Sequence, residues 1–215
     1  MLVRDLATLS YRDAWAVQEE VHAQVLAGGE EQILLVEHPP VITLGRRPGQ
    51  EPHLVASESY LAERGVELVQ SDRGGDITFH GPGQIVAYPI VRLADHKLSV
   101  GGYVHLLEKA IIDVLAEFGV ASCADKSAVG VWTEQGGLPA KVCAIGVRIK
   151  RGISMHGLAL NVSTDLNYFN LIVPCGLTGR AVTSIQKMMG DAAPSIDDVK
   201  RRLAAALMSS LKNEE

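Results

Sequence analysis

RGGDITFHGPGQIVAYPI, residues 73–90, is the stretch on which the fold turns. A glycine-rich segment can cradle phosphate, make a tight turn, or let a ligand lie against bare backbone. The phosphate reading fits poorly. Gly81-Pro82-Gly83 supplies G-x-G without the third glycine of a dinucleotide fingerprint, and no GxxxxGK[ST] occurs anywhere in the chain. After the glycines comes Ile85-Val86-Ala87-Tyr88-Pro89-Ile90, which reads as a strand where a doubly wound nucleotide fold would start a helix. The segment therefore predicts a hairpin turn, HGPG, between TF and IVAY.

Apolar runs outward from this segment predict further strands at 32–37, 41–45, 66–70, 85–93, 129–133, 141–149 and 158–162. His38-Pro39-Pro40 interrupts the first two, and a Gly-Gly-Leu-Pro turn joins 129–133 to 141–149. Helical spacing begins at Ser10, where Ala14, Val17 and Val21 share a face, and ends at Gly28-Gly29. A short helix runs from Ser57 to Arg64. A longer one covers 99–118 on Val104, Leu107, Ile111, Leu115 and Phe118. The last starts at Ser195, with Asp198 three residues on, and continues through Val199, Leu203 and Leu207. Strands outnumber helices without regular alternation, so the expectation is an α+β fold with a mixed or antiparallel sheet flanked by helices. No repeat or linker divides the chain, and residues 1–215 are expected to form one domain.

Composition narrows the function classes. With 20 Lys and Arg against 25 Asp and Glu, the net charge of −5 disfavours a protein that coats nucleic acid. No apolar run has membrane-spanning length, so no membrane partner is expected. The three cysteines, Cys123, Cys143 and Cys175, make neither a disulfide framework nor a CxxC pair, which suits a reducing cytoplasmic setting. No HxxxH or HExxH spacing suggests a metal.

Three groups could carry chemistry. In NLIVPCGLTGR (170–180), Cys175 stands between Pro174 and Gly176 where an apolar run gives way to a turn. That is a mounting for a nucleophile or equally for a small buried side chain. A reactive thiol needs a base or cation nearby, and Lys141, Lys126, His80 and His156 are the available helpers. Lys141 opens an otherwise apolar strand in which alternation puts Lys141, Cys143 and Ile145 on one side. Either it snorkels to water at a strand edge or it meets a partner inside. His80 and His156 each precede a glycine, and both could be bases, substrate contacts or turn residues.

Taken in order, EHPPVITLGRR, RGGDITFHGPGQIVAYPI, KVCAIGVRI, HGLALNV and IVPCGL resemble the lipoyl(octanoyl) transferases, over Tyr11 to Ser184. The resemblance implies the fold of the biotin and lipoate ligases. It also implies transfer of an octanoyl or lipoyl group from acyl carrier protein to a lysine of lipoyl domains, those of 2-oxoacid dehydrogenases and the glycine-cleavage H protein. Cys175 would be the nucleophile, passing through a thioester, and Lys141 its partner. Arg73, Gly74, Gly75, Asp76, Ile77, Thr78, Phe79, His80, Ala144, Ile145, Gly146, Gly157, Leu158 and Ala159 would contact substrate. No metal or nucleotide cofactor would be needed. Acidic partners would require a local basic patch, for which Arg46, Arg47, Arg148, Lys150 and Arg151 are candidates. Alternatives are an ATP-dependent lipoate or biotin ligase, an amidotransferase between lipoyl domains, a Cys–His thiol hydrolase, and a non-catalytic lipoyl-domain binder.

Overall fold

A computed structural model describes residues 1–125, 127–173 and 181–212. Its centre is β6 (Gln84–Ile90) and β10 (Ile153–Asn161), paired antiparallel and buried along their whole length. Strands covered on both faces read as continuous apolar runs; β6 does so over 85–90, and β10 only over 157–160, with Ser154, His156 and Asn161 buried along it. The two strands sit inside an eight-stranded sheet with β1 (Leu2–Thr8), β2 (Gln32–Glu37), β7 (Cys123–Ala124), β8 (Val131–Gln135), β9 (Leu138–Lys150) and β11 (Ala181–Val182). The order is β1-β2-β6-β10-β9-β8-β7. β11 runs parallel to β9 at Ala140–Lys141, on the edge that β10 leaves open beyond Cys143. β1 pairs with β2 and β11 with β9 in parallel, and the rest pair antiparallel, so the sheet is mixed, as the α+β reading expects.

Alternation sends successive residues of each strand to different cores. Ile33, Leu35, Ile85, Leu158 and Leu160 meet Leu107 and Ile111 of α3 (Val100–Glu117) and Leu203 and Leu207 of α5 (Ile196–Lys212). Leu34, Val36, Val86 and Ala159 meet Ala14, Val21 and Val25 of α1 (Tyr11–Leu26), on the other face. Ser10 caps α1 by accepting from the Asp13 N–H at 3.1 Å, which fixes where the helix starts. A second sheet of three strands, β4 (Glu67–Gln70), β3 (Val41–Leu44) and β5 (Thr78–His80), packs with α2 (Glu58–Glu63) around Ile42, Leu61, Ile77 and Phe79. α4 (Ile185–Met189) follows β11.

Several local expectations need correction. HGPG is a turn but not a hairpin, because β5 belongs to the small sheet and β6 to the large one. Pro82 and Gly83, the latter at φ +79°, occupy the middle of a turn closed by the Gln84 N–H on the Gly81 carbonyl, and it carries the chain between sheets. β1 was not foreseen, since its alternating polar edge gives little apolar signal. β10 starts at Ile153 rather than 158, after a two-residue turn at Arg151-Gly152, both with positive φ. The partnership of Lys141 with Cys143 on one face also fails. Val131 faces Cys143 while its neighbour Trp132 faces Lys141, so β9 carries one extra residue there. Cross-strand partners share a face and consecutive residues do not, so the bulge puts Lys141 and Cys143 on opposite sides.

Candidate active site

The start of the glycine-rich stretch, residues 73–76, lies across β9. The Gly74 N–H donates to the Val147 carbonyl at 3.0 Å, and a Cβ on Gly146 would stand 2.7 Å from the Gly74 oxygen. The glycines here let backbone meet backbone. Arg73 turns back under the loop, donating from Nε to Thr43 Oγ1 at 3.1 Å and from a terminal nitrogen to the Thr43 carbonyl at 2.7 Å. Asp76 accepts from the Ile77 N–H and lies 2.9 Å from His53 Nδ1.

Loop, small sheet and large sheet enclose a cavity of about 760 Å³, a size suited to a small ligand or an acyl chain. Its wall contains Arg73, Gly74, Gly75, Asp76, Ile77, Thr78, His80, Lys141, Ala144, Ile145, Gly146, Gly157, Leu158 and Ala159. Phe79, named with them from the sequence, is elsewhere: its ring stacks on Tyr168 with centroids 4.6 Å apart, inside the small sheet's core. Cys175 and Lys126 lie outside the described residues. Val100 and Val104 of α3, with Ala128 and Val129, add an apolar side.

Lys141 is 8% exposed. Its Nζ donates to the Val129 carbonyl at 3.0 Å and stands 4.7 Å above the Trp132 ring, as the shared face requires. β11 pairs Val182 with Lys141, and the Thr183 N–H donates to the Lys141 carbonyl at 2.9 Å. The Val173 N–H donates to the carbonyl of His53, a cavity residue. Cys143 is sealed in the α3–α5 core, and burial pushes its thiol up to about 12. It is a protonated core side chain at neutral pH. Cys123 is exposed.

The floor of the cavity is more polar than the sequence announces. Tyr11, the first residue of α1, stacks on His80 with centroids 5.9 Å apart and bonds Ser71 through its hydroxyl at 2.7 Å. His38 joins the Leu9 carbonyl to the Tyr88 hydroxyl, at 2.7 and 2.8 Å. His156 Nε2 lies 2.7 Å from Asp72. Burial lowers His156 to about 3, with Arg73 and Arg148 acting in the same direction, and lowers His38 to about 4. Arg148 engages the same Asp72 carboxylate. Arg148 is thereby an internal ion-pair partner, while Arg46 and Arg47 are exposed. His156 itself sits at φ +56° inside β10, a conformation that histidine adopts more readily than most side chains. Tyr11, His38, Asp72 and Tyr88 were not read as site residues. The one sequence signal was a tyrosine, Tyr88, in an otherwise aliphatic central strand.

The profile of the lipoyl protein ligase A/B catalytic domain matches residues 10–208. An octanoyltransferase of Chloroflexus aurantiacus is 46% identical over 209 residues, covering 96% of this chain and 92% of that protein. The chain belongs to the octanoyltransferases of the lipoyl protein ligase A/B family. A second octanoyltransferase, from Bacteroides fragilis, is 45% identical across 98% of this chain and 97% of its own length. In fold, this octanoyltransferase-family chain superposes on lipoate-protein ligase A bound with ATP at a TM-score of 0.79. The identity is 17%, over 98% of this chain and 85% of that one, so the likeness concerns architecture alone. Among the described residues, no helix is long and apolar enough to cross a membrane.

Proposed function

We propose that the chain carries an octanoyl or lipoyl group from acyl carrier protein to a lysine of lipoyl domains, such as those of 2-oxoacid dehydrogenases and the glycine-cleavage H protein, through a thioester on Cys175. The observation that carries this reading is a buried cation, Lys141, on the wall of an apolar, glycine-lined cavity of about 760 Å³. The nearest described strand after Cys175 pairs with that same lysine. An ammonium beside a thiol stabilises the thiolate or, as the amine, takes its proton. Exchange between two thiols is nearly balanced in energy, so the acyl-enzyme forms without ATP. Amide formation from a thioester is then downhill. The exposed Arg46 and Arg47 are the candidates for steering an acidic carrier. Mixing the protein with octanoyl acyl carrier protein and an unmodified lipoyl domain, without ATP, is expected to add one octanoyl amide to the domain. Transfer that instead requires ATP and free octanoate would replace this reading with the ligase one.

A further inference from the structure

Five buried side-chain polar atoms lack a partner among the described residues, and His80 Nε2 is the one whose residue lines the cavity. The hydrogen bonds behind the ring decide what that atom offers. Asn161 Nδ2 donates to the Thr183 carbonyl at 3.0 Å, which turns Asn161 Oδ1 toward Gln84. Gln84 Nε2 donates to that oxygen at 2.9 Å and to the Phe79 carbonyl at 3.2 Å. Both terminal acceptors are backbone carbonyls, so neither amide can be reversed. Gln84 Oε1 consequently faces His80 Nδ1 at 2.7 Å, and Nδ1 carries the proton. Nε2 is left with a bare lone pair. Burial first, with His38 and the Arg73 guanidinium acting in the same direction, holds the ring well below the ordinary histidine value.

An acceptor buried without a donor is costly, and a ligand N–H would recover that cost. Octanoyl transfer brings an alkyl chain, a thioester and a lysine side chain to the cavity. Once the carrier has left, only the amine among these has a hydrogen to donate. Resting on the acyl-transfer reading above, we propose that His80 Nε2 accepts a hydrogen bond from the attacking lysine amine in the second half-reaction, with Gln84 and Asn161 as positioning residues that hold its tautomer. The bond aims the amine's lone pair at the thioester carbon; as the C–N bond forms the C–S bond breaks, and the proton that the amine loses ends on the departing sulfur. The hydrogen bond leaves Lys141 to the thiol.

The two half-reactions separate the outcomes. In His80→Asn, an amide nitrogen can still face Gln84 but nothing replaces Nε2. In His80→Gln, an amide oxygen reaches the Nε2 position. Because His80 is part of the cavity wall, charging by octanoyl acyl carrier protein serves as the reference in each variant, and it is expected to fall by much less than transfer does. Transfer from the preformed adduct to a lipoyl domain should fall about 10²-fold in His80→Asn and recover in part in His80→Gln. Equal loss in both half-reactions, or no loss in transfer, would overturn the proposal. So would a loss confined to charging, which would assign the donor to the carrier's own amide. The wild-type protein gives a check that does not depend on variant folding. In its histidine ¹⁵N spectrum, His80 Nε2 should be unprotonated and should shift when n-butylamine is added; a protonated Nε2 contradicts the assignment. If wild type forms no adduct, the acyl-transfer reading falls first and takes this proposal with it.

Discussion

His38, His80 and His156 meet under the cavity, and each is more easily protonated in the unfolded chain than in the fold. Above the ordinary value of 6.5 both states are neutral, and these rings add no pH dependence. As pH falls below it, the unfolded chain takes up protons that the fold refuses, so stability drops. The loss should approach about 1.4 kcal/mol per pH unit for each ring. For His38 it continues until the folded ring titrates at about 4, and for His156 until about 3. Urea unfolding between about pH 6.5 and 4.5 should therefore show a steep decline, shallower in His38→Gln. A flat profile would mean that these rings are solvated. These histidines were visible in the sequence, but their grouping was not. His38 and Tyr88, or Tyr11 and His156, are 50 and 145 residues apart, and no local pattern encodes such pairings.

Among the elements, β10 carries the tightest approach. A Cβ on Gly157 would stand 2.1 Å from the Ala87 carbonyl of β6, with Pro89 Cδ at 3.0 Å. Backbone cannot yield as a flexible side chain would, so Gly157→Ala must part the two central strands or twist one of them. A destabilisation of about 2–3 kcal/mol or more is expected in urea unfolding, with loss of activity beyond the loss of folded protein. A change under about 0.5 kcal/mol would show that the strands can separate freely. Elements with strong apolar periodicity, such as α3 and α5 or the runs in β2 and β6, were legible because their burial is one-sided or complete. β1 was not, since an edge strand needs few apolar residues. The bulge opposite Trp132 was not either, because an extra residue leaves the composition unchanged while reversing which side chains face together. It separates Lys141 on the cavity side from Cys143 in the core.

For the whole molecule, the two sheets and the loop laid over β9 make an apolar chamber with a polar floor and the buried ammonium of Lys141. The mixed architecture followed from the strand after the glycines. The residues that the resemblance marks as substrate contacts line this chamber, apart from Phe79, which packs in the small core. Cys175, the proposed nucleophile, is best tested by chemistry. Intact mass after incubation with octanoyl acyl carrier protein should show one octanoyl adduct that hydroxylamine removes. The adduct should be absent in Cys175→Ala and slow to form in Lys141→Ala. An adduct that persists in Cys175→Ala, or that maps to Cys143 or Cys123, would contradict the account.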